Sequence, residues 1–146
     1  MRIAKVFRWE MGHRLPEHFD KCRNIHGHSY KMLIELEGEP QSNGMVMDYY
    51  DLKNIMKPVI ENLDHAFLVY NKDKEIIEFL DKMKSKKVVV DFQSTVENIC
   101  IYFLKEINKI DFPPNIRQVK VRVYETHDDY AEESMTISPK VTPKNV

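Results

Sequence analysis

The segment His26–Gly38 reads HGHSYKMLIELEG, and an apolar residue stands at every second position from Tyr30 to Leu36. A period of two predicts a β-strand over His28–Gly38, because successive side chains of a strand point to opposite faces of the sheet. The residues that would share the inward face are Tyr30, Met32, Ile34 and Leu36. His26 has the same parity as His28, so both imidazoles are expected to continue this inward row at one end of the strand.

A second inward row is predicted for the strand Ile3–Met11, and His13 continues its parity two residues later. The other members of that row are Phe7, Trp9 and Met11. Two neighbouring strands would therefore direct the imidazoles of His13, His26 and His28 toward one point. Three histidines around an open fourth position are the ligand set of a catalytic zinc site.

The same histidines have two other interpretations. One is a closed structural zinc site, in which Cys22, four residues before His26, supplies the fourth ligand. The other is a group of hydrogen-bonded histidines without a metal. The local pattern by itself leaves both alternatives open.

Three helices are predicted between the strands. Tyr49–Leu63 carries an apolar stripe at helical spacing, with Asp48 as its N-cap and Pro58 expected to kink or interrupt it. Lys74–Lys84 is predicted as a short helix. A third helix follows the segment 94–97 (STVE), which has the spacing of a capping box beginning at a serine.

Two more strands are predicted at the end, over Gln118–Thr126 and Tyr130–Ile137. Strands, then helices, then strands indicate an α+β fold, an antiparallel sheet covered on one face by helices. Glu125 has the parity of the inward valines 119, 121 and 123, so its carboxylate is predicted to face the apolar side. A buried carboxylate needs hydrogen-bond partners. The alternative is a glutamate that turns to solvent at the strand end.

Length and composition exclude several classes of protein. The 146 residues suit one domain, which we place at 1–137, with a flexible tail at 138–146. A net charge of −1 gives no reason to expect nucleic-acid binding. We expect no membrane span, since no apolar run is long enough. Two cysteines cannot form a disulfide framework, which favours a reducing, cytoplasmic setting.

Several motifs together resemble the 6-pyruvoyltetrahydropterin synthase family. They are His13–Pro16 followed by Cys22–Tyr30, Gly44–Asp48 leading to Asp51–Lys53, Leu63–His65, Ser94–Asn98, and Glu125–Thr126 with Ala131 five residues later. The resemblance covers about Phe7 to Ala131. It departs from the family at residues 127–129 (HDD), where a Pro-Thr-Ser-like segment is usual, and in the long, Lys-rich segment 71–92.

The spacing before His-Gly-His separates subtypes of this family. Three residues stand between Cys22 and His26, which is similar to the 6-carboxytetrahydropterin synthases, whereas five are typical of the tetrahydrobiopterin-pathway enzymes. The resemblance implies a zinc-dependent lyase of deazaguanine (queuosine) biosynthesis. Its substrate would be 7,8-dihydroneopterin triphosphate, and its products 6-carboxy-5,6,7,8-tetrahydropterin, acetaldehyde and triphosphate. The resemblance also implies the tunnelling fold, in which subunits of a homo-oligomer (trimer or hexamer) form a ring-shaped barrel.

The resemblance also implies roles for individual residues. Cys22 would be the general base. Asp64 and His65 would complete a proton relay from a neighbouring subunit, although such a pair after a helix is more often a capping feature. Glu125 would bind the amino group and ring N–H of the pterin, with Thr126 nearby.

Other functions remain as alternatives, and the residues that would bind the triphosphate are also open. The close rival is a 6-pyruvoyltetrahydropterin synthase, which eliminates triphosphate without losing carbon. A zinc hydrolase would be expected to carry a His-Glu-x-x-His helix, which is absent from the sequence. A non-enzymatic structural-zinc module would use Cys22 as a ligand. The triphosphate could be attracted by Arg14, Lys21 and Arg23, or these could form a solvated basic loop.

Overall fold

The computed structural model describes residues 1–137, which form one six-stranded sheet and three α-helices; the tail predicted at 138–146 lies outside that range. The strands are β1 (Arg2–His13), β2 (His26–Gly38), β3 (Ala66–Tyr70), β4 (Lys87–Val90), β5 (Ile116–Tyr124) and β6 (Tyr130–Thr136). The helices are α1 (Tyr49–Leu63), α2 (Lys74–Lys82) and α3 (Val96–Asn108), and a 3-10 turn (Lys21–Arg23) precedes β2. Within residues 1–137, no helix has the length and apolar character needed to cross a membrane.

The strand order is β4-β3-β1-β2-β5-β6, and the four strands from β1 to β6 pair in antiparallel fashion. The α+β class is therefore confirmed. β1 and β2 both extend two residues beyond their predicted histidine-side ends, so that His13 lies opposite His26 and Met11 lies opposite His28. This register brings the three histidines to one end of the hairpin and to one face of the sheet.

Two strands were not predicted, and both pair in parallel: β3 with β1, and β4 with β3. Four consecutive residues of β3, 66–69, are buried, so the segment lacks the alternation that reveals a half-buried strand. Leu68 packs into the main core, whereas Phe67 and Val69 pack against Ile76 and Leu80 of α2. The expectation of helices on a single face holds for α1 and α3, but α2 covers the opposite face of β3.

The main core lies between the sheet and the helices α1 and α3. The three inward valines of β5 are completely buried, as predicted. The helices contribute the buried side chains of Leu52, Met56 and Leu63 from α1, and of Ile99, Cys100, Phe103, Leu104 and Ile107 from α3. Because the core ends where the hairpin carries its histidines, it supplies an apolar wall behind them.

The local signals at the helix termini are partly confirmed. Asp48 caps α1, since its carboxylate accepts a hydrogen bond from the Tyr50 N–H at 2.7 Å. Pro58 does not interrupt α1, because it and Asn54, whose carbonyl it leaves without a partner, both lie on the exposed side where water can bind. The cap of α3 is Thr95 rather than Ser94, which is buried and donates its hydroxyl to the Arg14 carbonyl.

Candidate metal centre and active site

The structure brings the three predicted histidines together. One ring nitrogen from each of His13, His26 and His28 lies within 4.8 Å of the others. The ring centroids are 4.5 Å apart for His13 and His26, 5.2 Å for His13 and His28, and 5.0 Å for His26 and His28. Among residues 1–137, this group has the spacing that a single metal ion requires.

Backbone carbonyls orient two of the three imidazoles. His13 donates its Nδ1–H to the Ser94 carbonyl at 2.9 Å, and His26 donates its Nδ1–H to the Asn24 carbonyl at 2.7 Å. Each bond fixes the tautomer and leaves Nε2 with a lone pair for a metal. Nε2 of His28 is buried and has no hydrogen-bond partner among the described residues, which is costly unless a ligand occupies the site. The ring nitrogens of these three histidines fit a zinc ion as ligands.

The electrostatics of the cluster favour neutral imidazoles. Burial lowers the pKa of His13 to about 4, the Ser94 carbonyl opposes this shift, and the two neighbouring imidazoles add to it. Burial also lowers the pKa of His28, against the attraction of the Glu125 carboxylate. His13 is therefore neutral at pH 7, which is the form that binds a metal ion.

The Glu125 carboxylate lies beside the histidines, as its parity predicts. Its Oε1 is 3.4 Å from Nε2 of His13 and 3.9 Å from Nε2 of His28. The Tyr30 hydroxyl donates a hydrogen bond to the same oxygen at 3.1 Å. Burial and this carboxylate raise the pKa of Tyr30 far above its ordinary value, so the hydroxyl remains a donor. Tyr30 was predicted only as part of the inward row, because its partner lies 95 residues away.

A cleft of about 430 Å³ opens where β5 ends and β2 continues without it. It contains a carboxylate and a histidine of the cluster in one space, so a single small molecule could contact both. The lining residues are Arg8, Glu10, His28, Ser29, Tyr30, Lys31, Glu125, Thr126 and His127.

Thr126 organises the turn that follows Glu125. Its hydroxyl donates to the Asp129 carboxylate at 3.0 Å and accepts the N–H groups of Asp128 and Asp129 at 3.3 and 3.1 Å. The unusual segment 127–129 is thus closed on Thr126. With its hydroxyl engaged in these hydrogen bonds, Thr126 stabilises the loop at the rim of the cleft.

Cys22 lies near the chain segment that leads to His26, on the 3-10 turn, and is half-buried. Its backbone carbonyl accepts a hydrogen bond from the Leu15 N–H at 2.8 Å, which ties the turn to the end of β1. The thiol is not part of the mutually close ligand group that the three histidines form. The described conformation therefore does not form the closed four-ligand site that was one of the alternatives.

Asp64 and His65 do end α1, and they also contact each other. Nδ1 of His65 lies 3.0 Å from the carboxylate of Asp64, whose other oxygen accepts the Glu10 N–H at 2.9 Å. Side chains of adjacent residues rarely bond each other, but His65 has a φ of 56° that turns the chain and allows this contact. The bond from Glu10, with that from His65, lowers the pKa of Asp64.

The side chains of Asp64 and His65 are open to solvent. The His65 side chain is 76% exposed. Within the described chain, no hydrogen bond or ion pair joins Cys22 to Asp64 or His65. His65 instead lines a second cleft, also about 430 Å³, whose other walls include Gly12, Gly27 and His28. One subunit therefore does not complete the relay that the resemblance implies.

Arg14, a candidate for the triphosphate, already has anionic partners. Its guanidinium makes two hydrogen bonds of 2.7 Å to Asp73 and a longer one of 3.3 Å to Glu75. These contacts fasten the end of β1 to the start of α2. Lys21 and Arg23 are exposed.

Known proteins resemble this chain over nearly its whole length. A model of the family described as 6-pyruvoyl tetrahydropterin synthase matches residues 2–135. A 6-carboxy-5,6,7,8-tetrahydropterin synthase of Haemophilus influenzae is 34% identical, covering 90% of this chain and 96% of that protein. A putative 6-carboxy-5,6,7,8-tetrahydropterin synthase of Pyrococcus abyssi is 32% identical, with coverages of 95% and 93%.

Solved structures share the fold. The structure of 6-pyruvoyl tetrahydropterin synthase from Plasmodium falciparum covers 94% of this chain with a TM-score of 0.74, and 98% of its own length is matched. At 17% sequence identity this likeness concerns the fold alone. The family model and the relatives above 30% identity carry the assignment. The chain is therefore an enzyme of the 6-pyruvoyl tetrahydropterin synthase family.

Proposed function

We propose that this enzyme converts 7,8-dihydroneopterin triphosphate and one water to 6-carboxy-5,6,7,8-tetrahydropterin, acetaldehyde and triphosphate, as a step of queuosine precursor synthesis. The observation that carries the proposal is the cleft in which Glu125 lies beside His13 and His28. In such a site the Glu125 carboxylate can accept hydrogen bonds from adjacent N–H groups of a ring. The side chain of that ring can then reach a metal ion at the histidines. The relatives named 6-carboxy-5,6,7,8-tetrahydropterin synthase support the same reaction.

The metal ligands in this proposal are His13, His26 and His28. Zinc bound there supplies Lewis-acid polarisation of the hydroxyl oxygens on the substrate side chain. The Nδ1–H bonds of His13 and His26 to backbone carbonyls leave Nε2 of each ring free to bind the ion. The hairpin and the Ser94 carbonyl would therefore largely determine the position of the zinc ion.

Substrate binding and proton transfer are assigned to the remaining residues. Glu125 accepts hydrogen bonds from the amino group and ring N–H of the pterin, while Tyr30 holds one of its oxygens. Cys22 acts as general base between the side chain and the ring. His65, oriented by Asp64, serves the later elimination and cleavage. Because His65 is exposed and has no described contact with Cys22, we assign it to the site of a neighbouring subunit.

The reaction is an internal redox rearrangement. Two electrons and their protons move from the first side-chain carbon to the ring, which becomes a tetrahydropterin and leaves that carbon as a ketone. Water then adds to this carbon and its bond to the second carbon breaks, which gives the carboxylate and leaves the electron pair on the second carbon. The other two side-chain carbons leave as acetaldehyde, and triphosphate leaves from the last of them. No nicotinamide or flavin is needed, which agrees with the absence of a G-x-G-x-x-G fingerprint in the sequence.

Product analysis tests the proposal directly. We expect the zinc-loaded enzyme, incubated with 7,8-dihydroneopterin triphosphate alone, to yield 6-carboxytetrahydropterin by mass spectrometry and one trapped acetaldehyde per turnover. A pyruvoyl product that retains all side-chain carbons would keep the family and overturn the subtype. The subtype rests on the spacing between Cys22 and His26, since both reactions use the same substrate.

Replacement of Glu125 by glutamine should weaken pterin binding without changing zinc content. The amide places a donor where the pterin also presents donors, and such a buried mismatch costs about 1–3 kcal/mol. Fluorescence quenching of a bound pterin, together with metal analysis, measures both effects. Glu10→Gln is a matched control, because it removes an equal charge from the same cleft. Equal losses in the two variants would contradict a specific contact with Glu125.

The proposal also includes the setting of the enzyme. We propose a single catalytic domain at 1–137 that works in the cytoplasm as a trimer or hexamer. The edge strands β4 and β6 present unpaired backbone groups in the single chain, so edge pairing between subunits would close the sheet into a ring-shaped barrel. A ring would also bring His65 of one subunit toward the cleft of another.

A further inference from the structure

Two cations face each other across the hairpin next to the proposed site. Arg8 of β1 lies directly opposite Lys31 of β2, on the polar face of the sheet. Like charges that are directly opposite across two strands destabilise the pairing. The arrangement is therefore unfavourable unless an anion lies between or above the two side chains.

The other cations of this polar face have carboxylate partners. Nε of Arg2 lies 2.7 Å from Glu37, and Nζ of Lys120 lies 3.3 Å from Glu35. Arg122 pairs in the same way with a glutamate of β6. Charge pairing is thus the rule on this face.

Arg8 and Lys31 depart from that rule. Within residues 1–137, no ion pair joins either of them to a carboxylate. Lys31 instead holds its ammonium 3.7 Å from the ring centroid of Tyr124, which neutralises no charge. Two positive charges are therefore available to an external ligand.

The same pair lines the cleft that contains Glu125 and His28. Lys31 follows His28 by three residues, which is about 10 Å along an extended strand. The two side chains point to opposite faces of β2, so the cleft passes around the edge of this strand where β5 has ended. A phosphate chain attached a few bonds beyond hydroxyls held at the histidine cluster would reach that distance. One end of the cleft thus suits N–H donors and the other suits a polyanion.

We propose that Arg8 and Lys31 form the subsite for the polyphosphate part of the ligand. The assignment to the substrate's triphosphate rests on the proposed function, whereas binding of a polyphosphate follows from the charges alone. Guanidinium and ammonium groups are the side chains that bind phosphate oxygens most strongly. Arg14 is less suited, because Asp73 and Glu75 already occupy its guanidinium.

The test uses inorganic triphosphate as the probe and the zinc-loaded protein, with zinc content measured before and after each titration. Calorimetry at low salt should give a dissociation constant roughly tenfold higher for Arg8→Gln and for Lys31→Gln than for the unaltered protein. Arg2→Gln is the matched control, because it removes the same charge from the same face of the same strand. We expect its affinity to change less than about twofold.

Thermal unfolding adds a readout that distinguishes binding from folding. Without the probe at low salt, Arg8→Gln should melt no lower than the unaltered protein, because it removes a repulsion. Inorganic triphosphate should raise the melting temperature of the unaltered protein and of Arg2→Gln. The rise should be much smaller for Arg8→Gln and Lys31→Gln.

The outcomes separate this subsite from the proposed reaction. If both variants lose affinity and the control does not, the subsite stands, even where product analysis fails to find 6-carboxytetrahydropterin. If both variants bind inorganic triphosphate like the unaltered protein, or Arg2→Gln loses as much, the subsite is wrong, even where the reaction is confirmed.

Discussion

Replacement of His28 by alanine is expected to leave the protein almost free of zinc after dialysis, whereas the unaltered chain should hold about one ion per chain. The variant removes one of three protein ligands, a larger loss than the removal of an outer-shell partner, which typically weakens metal affinity about 10–100-fold. His26→Ala should behave in the same way, since the two rings have equivalent places in the cluster. Metal analysis by mass spectrometry measures the effect.

His18→Ala provides the control for this experiment. His18 is close in sequence, but its Nδ1 accepts a hydrogen bond from the Asp20 N–H at 3.1 Å, and the ring lies outside the cluster. Zinc content should therefore be unchanged in this variant. Full zinc occupancy in both His26→Ala and His28→Ala would show that the metal assignment is wrong.

Replacement of Cys22 by alanine should lower turnover by about 10²–10⁴-fold, the typical contribution of a positioned general base. Zinc content should stay at one ion per chain, because the three histidines already form the ligand group. Steady-state kinetics on 7,8-dihydroneopterin triphosphate, with metal analysis of the same sample, gives both numbers.

Cys100→Ala is the matched control for removal of a thiol. Cys100 is buried in α3 and donates to the Val121 carbonyl at 3.4 Å, and burial raises the pKa of its thiol to about 11. Its removal is expected to lower stability and leave turnover intact. If Cys22→Ala loses its zinc, the Cys22 thiol is a metal ligand. If Cys22→Ala keeps full turnover, the general base is another group.

The failures of sequence interpretation have particular physical causes. β3 carried no alternation, because its neighbours bury both of its faces. Arg14 was a candidate phosphate ligand until the fold supplied Asp73, 59 residues away, as its partner. Ser94 was assigned to the helix cap by spacing alone, but burial directs its hydroxyl to a neighbouring carbonyl and leaves the cap to Thr95.

The sequence by itself determined the face on which each histidine of the hairpin lies, because side-chain direction in a strand depends only on parity. The same rule directed Glu125 to the inward side of β5. The sequence determined the start of α1 as well, since a capping carboxylate acts within two residues of its own position.

Only the tertiary structure decided which groups contact those side chains. Ser94 orients His13 across 81 residues, and Tyr30 holds Glu125 across 95. That Arg8 and Lys31 have no carboxylate partner within residues 1–137 depends likewise on the neighbours that the strand register gives them. Local preferences act over a few residues, whereas hydrogen-bond and charge partners are chosen by which distant segments the packed core brings together.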